Sequence, residues 1–217
     1  MLQPWAQYII HDISRKIVQG MPVYPNNPEV VIQEFKGETS TMSRILLGSH
    51  TGTHLDAPKH VFEGALGVED IGIGVEDISL NTLIGPCKVL DFSDKKGSIT
   101  KEDLQVHSIH SGDRILVKTS NSLDPFVTFN SEYVYLDGDA ADFLAELDIA
   151  LFGIDYLSVK QYQGRDFRAH DSLLIKNIVI LEGLNLADVI EGTYVLVALP
   201  LPLGAIDGAP VRAILLE

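Results

Sequence analysis

Short aliphatic and β-branched runs recur along the chain and predict strands over residues 30–35, 44–47, 88–92, 114–118, 149–154, 178–181, 194–198 and 211–216. Helices are fewer. Thr100, with Asp103 three residues on, predicts one helix start, and two further helices are expected across residues 140–147 and 184–190. Residues 149–154 and 178–181 are apolar at successive positions instead of alternating, so both faces of those strands need cover, which puts them at the centre of a sheet. Gly85-Pro86, Gly112-Asp113 and Gly138-Asp139 read as single turn signals, and no repeat, low-complexity tract or linker divides the chain. The pattern predicts a mixed α/β fold with few helices, in one domain over residues 1–217.

Composition narrows the function. Among 217 residues, 30 acidic against 16 basic side chains give a formal charge of -14, which excludes a general nucleic-acid binder. A hydrophobic share of 46% with 21% charged residues is that of a folded chain, not a disordered one. Cys87 is the single cysteine, so no internal disulfide is available, and its place between a Gly-Pro turn and a strand suits an inert buried thiol. The apolar run over residues 194–206 is broken by Pro200, Pro202 and Gly204 and is shorter than the ~20 residues a membrane helix needs. The first ten residues carry no positive cluster ahead of an apolar core, so a soluble, cytoplasmic protein without a signal peptide or membrane partner is expected.

The chemistry concentrates in residues 50–60, His-Thr-Gly-Thr-His-Leu-Asp-Ala-Pro-Lys-His, which hold three of seven histidines and a carboxylate. Gly52, two threonines and Pro58 oppose a regular helix. In an extended segment His50, His54, Asp56 and His60 share one face, because side chains alternate with period two. At ~3.3 Å per residue His54 and Asp56 lie about 6.6 Å apart at Cα, close enough to share a metal, whereas His50 sits a further ~13 Å away. A bend is needed to bring His50 in, and Gly52 permits one. Two imidazoles and a carboxylate suit Zn²⁺, Mn²⁺ or Fe²⁺, and a carboxylate with two oxygens can bridge two ions. His11, His107 and His110 stand alone and read as structural residues. The serine-hydrolase elbow, the phosphate-binding loop and the dinucleotide fingerprint are absent from the sequence, and Ile71-Gly72-Ile73-Gly74 lacks the third glycine and reads as a loop.

The same string resembles the signature of the cyclase-like metal-dependent hydrolases, the family that includes bacterial kynurenine formamidase and isatin hydrolase. The likeness extends to Asp12-Ile13-Ser14, Met21-Pro22-Val23-Tyr24-Pro25, Gly85-Pro86-Cys87, Gly112-Asp113-Arg114-Ile115-Leu116, Gly153-Ile154-Asp155 and Asp207-Gly208-Ala209-Pro210-Val211-Arg212. The resemblance implies a swivelling β/α/β domain, a layered mixed sheet with metals at its edge. It implies one or two divalent cations per subunit, Zn²⁺ or Mn²⁺ foremost with Fe²⁺ as a further option. His50, His54 and Asp56 would hold one, and Asp56 and Glu182 would bridge to a second held also by His170. Glu182 makes independent sense, since it closes an apolar strand at its carboxyl end. His60 corresponds to the acid/base residue.

The implied activity is hydrolysis of an amide, formamide or cyclic amide C–N bond in a small molecule. A lactonase or dehydratase on the same centre and a metal-stabilised binding protein without turnover are the alternatives. Tyr24 stands where kynurenine formamidases typically carry a tryptophan lining the aryl pocket, so a smaller or more polar aromatic amide is as compatible as N-formylkynurenine. Lys160 stands where an acidic residue often follows the Gly-Ile-Asp segment. Family members assemble as dimers or tetramers, and Trp5, Tyr8 and Ile9 at the N-terminus suit such an interface.

Overall fold

The computed structural model describes residues 8–61 and 73–217. Its first half holds β1 (Ile10–Asp12), β2 (Val31–Lys36), β3 (Thr41–Leu46), β4 (His54–Asp56), the short α1 (Leu80–Leu83), β5 (Ile84–Phe92), β6 (Ser98–Ile99) and α2 (Lys101–Gln105). There follow β7 (Arg114–Thr119), β8 (Tyr135–Leu136), α3 (Gly138–Glu146), β9 (Leu151–Ile154), α4 (Arg168–Leu174), β10 (Val179–Glu182), β11 (Gly192–Pro200) and β12 (Gly208–Leu216).

The main sheet runs β1-β12-β11-β5-β7-β9-β10-β4, and a further β12–β4 pairing closes seven of these strands into a ring. Strands β5, β7, β9 and β10 are parallel, and the rest join antiparallel, so the sheet is mixed as expected. Closure leaves the strand that carries the histidine cluster, β4, paired on both sides.

Side-chain alternation divides the core in two. Leu116, Leu151, Val179 and Leu181 point to one cluster, while Ile115, Val117, Phe152, Ile154 and Ile180 join the other, where Leu104 of α2, Leu144 of α3 and Leu173 of α4 cover them. That is why residues 149–154 and 178–181 are apolar at every position. Each such side chain, fully buried, contributes about 1.5–3 kcal/mol, which makes this region a stiff support for the groups at the strand ends.

Helix α2 has the expected start: the Asp103 carboxylate accepts from the Thr100 N–H at 2.8 Å, and the Thr100 hydroxyl accepts from the Asp103 N–H. Gly138-Asp139 is not a turn, because the Asp137 carboxylate accepts from Ala140 N–H and starts α3 two residues earlier than expected. Gly85-Pro86 falls inside β5, at positions paired to β11 alone, where the missing N–H of proline costs no ladder bond to β7.

The helix expected at residues 184–190 does not form. Leu184, Asn185 and Leu186 give their backbone N–H groups to Ile154 O, Ile13 O and Ser122 Oγ, and tertiary partners thus replace the helical ladder. Trp5, Ile71 and Gly72 lie outside the described residues. Tyr8 and Ile9 are exposed, and no described helix is long and apolar enough to cross a membrane.

Candidate metal centre

The segment from His50 to His60 is built in three pieces. His50 sits in a turn, Gly52 takes φ +64°, and the chain then enters β4 before Pro58 opens a 3-10 turn ending at His60. The bend at Gly52 is the one His50 requires. Gly183, at φ +67°, meets it from the other side: a Cβ there would collide with the Gly52 carbonyl oxygen. The Thr53 hydroxyl ties the two loops together, accepting from Arg15 N–H at 2.8 Å and donating to Gly183 O at 2.6 Å.

Register then recruits the distant groups. Glu182 of β10 pairs directly with His54, and Gly208 of β12 pairs with Asp56. Leu55, between the two polar residues, turns the opposite way into the core. His170 arrives from the first turn of α4, whose Ala169, Leu173 and Leu174 are buried. His54, Asp56, His170 and Glu182 therefore meet from three elements. His54 Nε2 lies 3.5 Å from Asp56 Oδ1 and 3.3 Å from Glu182 Oε2. His170 Nε2 lies 3.7 Å from Asp56 Oδ2 and 3.4 Å from Glu182 Oε1. His50 Nδ1 is 2.7 Å from Asp56 Oδ1.

The remaining hydrogen bonds orient these groups. His54 Nδ1–H donates to Gly52 O at 2.9 Å, which leaves the Nε2 lone pair facing the carboxylates. Glu182 Oε1 accepts from Val159 N–H at 2.7 Å. His54 and Asp56 are fully buried and Glu182 nearly so, yet His54 Nε2 and Asp56 Oδ2 have no hydrogen-bond partner. Leaving buried polar atoms unpaired costs about 1–3 kcal/mol each, so their convergence calls for a group that bonds lone pairs, and a divalent cation does so. The donor set of nitrogens and carboxylate oxygens, all on stiff supports, fits such an ion.

Electrostatics agree. Burial opposes charge on His50, but Asp56 and Asp207 outweigh it and hold its pKa up to about 10. Asp56 is likewise disfavoured as an anion by burial, yet His50, His60 and His54 keep it well below the usual carboxylate range. Glu182 is lowered too, the pairing with His170 and His54 prevailing over burial and over Asp56.

His60 Nδ1 lies 3.5 Å from Asp207 Oδ2, and its ring sits 4.3 Å from that of His50 and 5.5 Å from that of His170. A cavity of about 730 Å³ opens over His60, His170 and Glu182, with Tyr24, Lys160 and Phe167 in its wall. Tyr24 stands edge-on to Phe129 and Tyr162, 5.5 and 6.0 Å between centroids. The Lys160 ammonium donates to Gly164 O and lies 4.7 Å over the Phe167 ring, which folds its loop back against the cavity. All seven residues expected at the site thus come together. The isolated histidines are engaged elsewhere: His11 with Glu217, His107 edge-on to Phe92, His110 near Asp113. Cys87 is buried and its thiol is pushed up to about 12, the inert state expected.

Asp207 escaped the reading of the sequence as a site residue. Its Oδ2 accepts from His50 Nε2 at 2.8 Å and also faces His60. The signal present was an acidic residue opening Asp-Gly-Ala-Pro ahead of an apolar strand; its neighbour Gly208 is needed there, since a Cβ would come within 2.8 Å of the His50 ring.

Residues 11–161 match the family described as "Putative cyclase". The kynurenine formamidase of Geobacillus thermodenitrificans is 36% identical, the match covering 99% of this chain and 98% of the relative. A solved structure described as "predicted metal-dependent hydrolase from Bacillus stearothermophilus" superposes with TM-score 0.84 at 38% identity, over 96% of this chain and 98% of that one. An isatin hydrolase bound to the product analogue thioisatinate shares the fold, with TM-score 0.84 and 22% identity over 98% of this chain and 93% of its own. Matched along nearly its whole length to such relatives, the chain belongs to the cyclase family of metal-dependent hydrolases.

Proposed function

We propose that the protein is a metal-dependent amidohydrolase that cleaves the C–N bond of a small aryl formamide or cyclic amide. His50, His54 and Asp56 would hold one divalent cation, with Asp56, Glu182 and His170 available to a second. Zn²⁺ and Mn²⁺ are the ions this nitrogen and oxygen set suits best, with Fe²⁺ also compatible. The observation that carries the reading is the pair of unpartnered buried atoms, His54 Nε2 and Asp56 Oδ2, which lie respectively 3.3 Å from Glu182 Oε2 and 3.7 Å from His170 Nε2, two residues that line the cavity. When bound, the cation supplies a Lewis acid that acidifies water and polarises a carbonyl oxygen.

His60 moves the proton. It stands over the cluster at the cavity wall, where a neutral imidazole takes a proton from the attacking water as the oxygen bonds to the carbonyl carbon. The same proton goes to the nitrogen as the C–N bond breaks, so His60 ends as it began and no covalent enzyme intermediate arises. Tyr24, Leu157 and Phe167 provide an apolar and aromatic wall for the acyl or aryl part. The kynurenine formamidase relatives and the isatin hydrolase fold support an aryl amide as substrate class.

The reading places the enzyme in the cytoplasm, as one domain over residues 1–217 working as a homodimer or homotetramer on a small molecule. Exposed Phe35, Met42, Ile45 and Leu46 on the β2–β3 ribbon support assembly, because a two-stranded ribbon is marginally stable in water alone. The test is turnover of the protein loaded with Zn²⁺ or Mn²⁺ on formanilides, N-formylkynurenine, isatin and small lactones. Hydrolysis of a formanilide or cyclic amide that stops on chelation is expected. Turnover of lactones alone would move the assignment to the ester-cleaving alternative, and no turnover with metal bound would move it to a silent binding protein.

A further inference from the structure

Asp207 joins the two halves of the centre. Its Oδ2 accepts from His50 Nε2 at 2.8 Å and lies 3.5 Å from His60 Nδ1, so one carboxylate oxygen faces both the first ligand histidine and the proposed acid/base. The contacts divide the nitrogens of each ring. In His50, Nε2 is turned to Asp207 while Nδ1 faces Asp56 Oδ1 at 2.7 Å, within the cluster. In His60, Nδ1 faces Asp207. A carboxylate on the outer nitrogen of a ligating imidazole fixes the tautomer, orients the ring and raises its basicity toward a cation.

We infer that Asp207 is a positioning residue that holds His50 as the Nε2–H tautomer with Nδ1 presented to the cation, and holds His60 by Nδ1–H with Nε2 presented to the substrate. This rests on the reading of His50 as a ligand and His60 as the acid/base. Tethering of the loop is served separately. The backbone carbonyl of Asp207 accepts from Ala57 N–H at 2.9 Å, and that of Ile206 accepts from Val75 N–H, bonds that a change of the Asp207 side chain leaves in place. Gly208 clears room for the His50 ring beside the carboxylate, and β12 pairing to β4 sets the distance.

Calorimetric titration of the metal-free full chain with Zn²⁺ tests this. Asp207→Ala, shown to be folded by circular dichroism, should weaken the affinity about 10- to 100-fold. Asp207→Asn, which keeps the shape and one acceptor but not the charge, should fall between the two and serves if the alanine variant does not fold. Long-range ¹H–¹⁵N spectra of histidine-labelled, Zn²⁺-loaded protein should show His50 as the Nε2–H tautomer in the wild type, with that tautomer no longer uniquely populated in Asp207→Ala. Wild-type Zn²⁺ affinity and an unchanged His50 tautomer in either folded variant would overturn the inference while leaving the hydrolytic reading intact. A wild-type chain that bound no Zn²⁺ would overturn both.

Discussion

Two aspartates in this molecule are equally buried and opposite in kind. Asp155, immediately after β9, is fully enclosed, and its carboxylate accepts from Thr119 N–H at 2.8 Å, Thr119 Oγ1 at 2.7 Å, Ser122 N–H at 3.0 Å, Ser122 Oγ at 2.7 Å and Asn121 Nδ2 at 3.3 Å. Asp56, at the end of β4, is enclosed to the same degree, but Oδ2 has no hydrogen-bond partner and Oδ1 accepts from His50 alone. The first is saturated by neutral donors and ties the segment of residues 119–122 to the end of β9. The second is ringed by imidazoles whose lone pairs can also serve a cation. Burial of a carboxylate therefore does not mark a functional site; burial without donors does.

Substituting both residues breaks the comparison most sharply. Asp56→Asn should abolish cation binding and turnover, and in chelator it should also destabilise the metal-free fold, because protonated His50 loses one of the two carboxylates that hold its charge. Metal content, turnover and urea midpoint on one preparation check it. Next in size, His60→Ala should lower kcat about 10²- to 10⁴-fold with bound metal unchanged, read by elemental analysis beside steady-state kinetics. Asp155→Ala should part from Asp56→Asn in its metal content. It should cost about 3 kcal/mol or more of stability, since several buried donors lose their acceptor, with the metal content of the folded fraction preserved.

The smallest effect is one of pH. In chelator, protonated His50 between Asp56 and Asp207 has a folded pKa of about 10 against an ordinary 6.5. Its contribution to stability is then fully present below pH 6.5 and lost as pH rises through about 10. With Zn²⁺ bound, Nδ1 is given to the cation and that loss should disappear, a contrast that urea midpoints measured across pH 6–10 would register.

The same distinction explains what could be read from the sequence. β10 and β9 were legible because two-sided burial makes them apolar at every position, and Glu182 stands out as the first charge after such a run. His54 and Asp56 were legible through their i, i+2 spacing, and His50 through the bend that Gly52 allows. Helix α4 was not. It has seven residues and no side-chain cap, so nothing local announces it, and His170 entered only through the resemblance. Residues 184–190 carry helical spacing, but that pattern does not reveal N–H groups already claimed by Ile154, Ile13 and Ser122. Asp207 was hidden for the same reason: its meaning comes from β12 lying beside β4, a pairing between residues more than 150 positions apart.

The most direct test of the centre is an anomalous-difference map from crystals grown with Mn²⁺ or Zn²⁺. The account predicts a peak within about 2.0–2.3 Å of His54 Nε2 and an Asp56 oxygen, with His50 on the same ion. Ions bound elsewhere on the protein, with His54 Nε2 and Asp56 Oδ2 bonded to water alone, would contradict it.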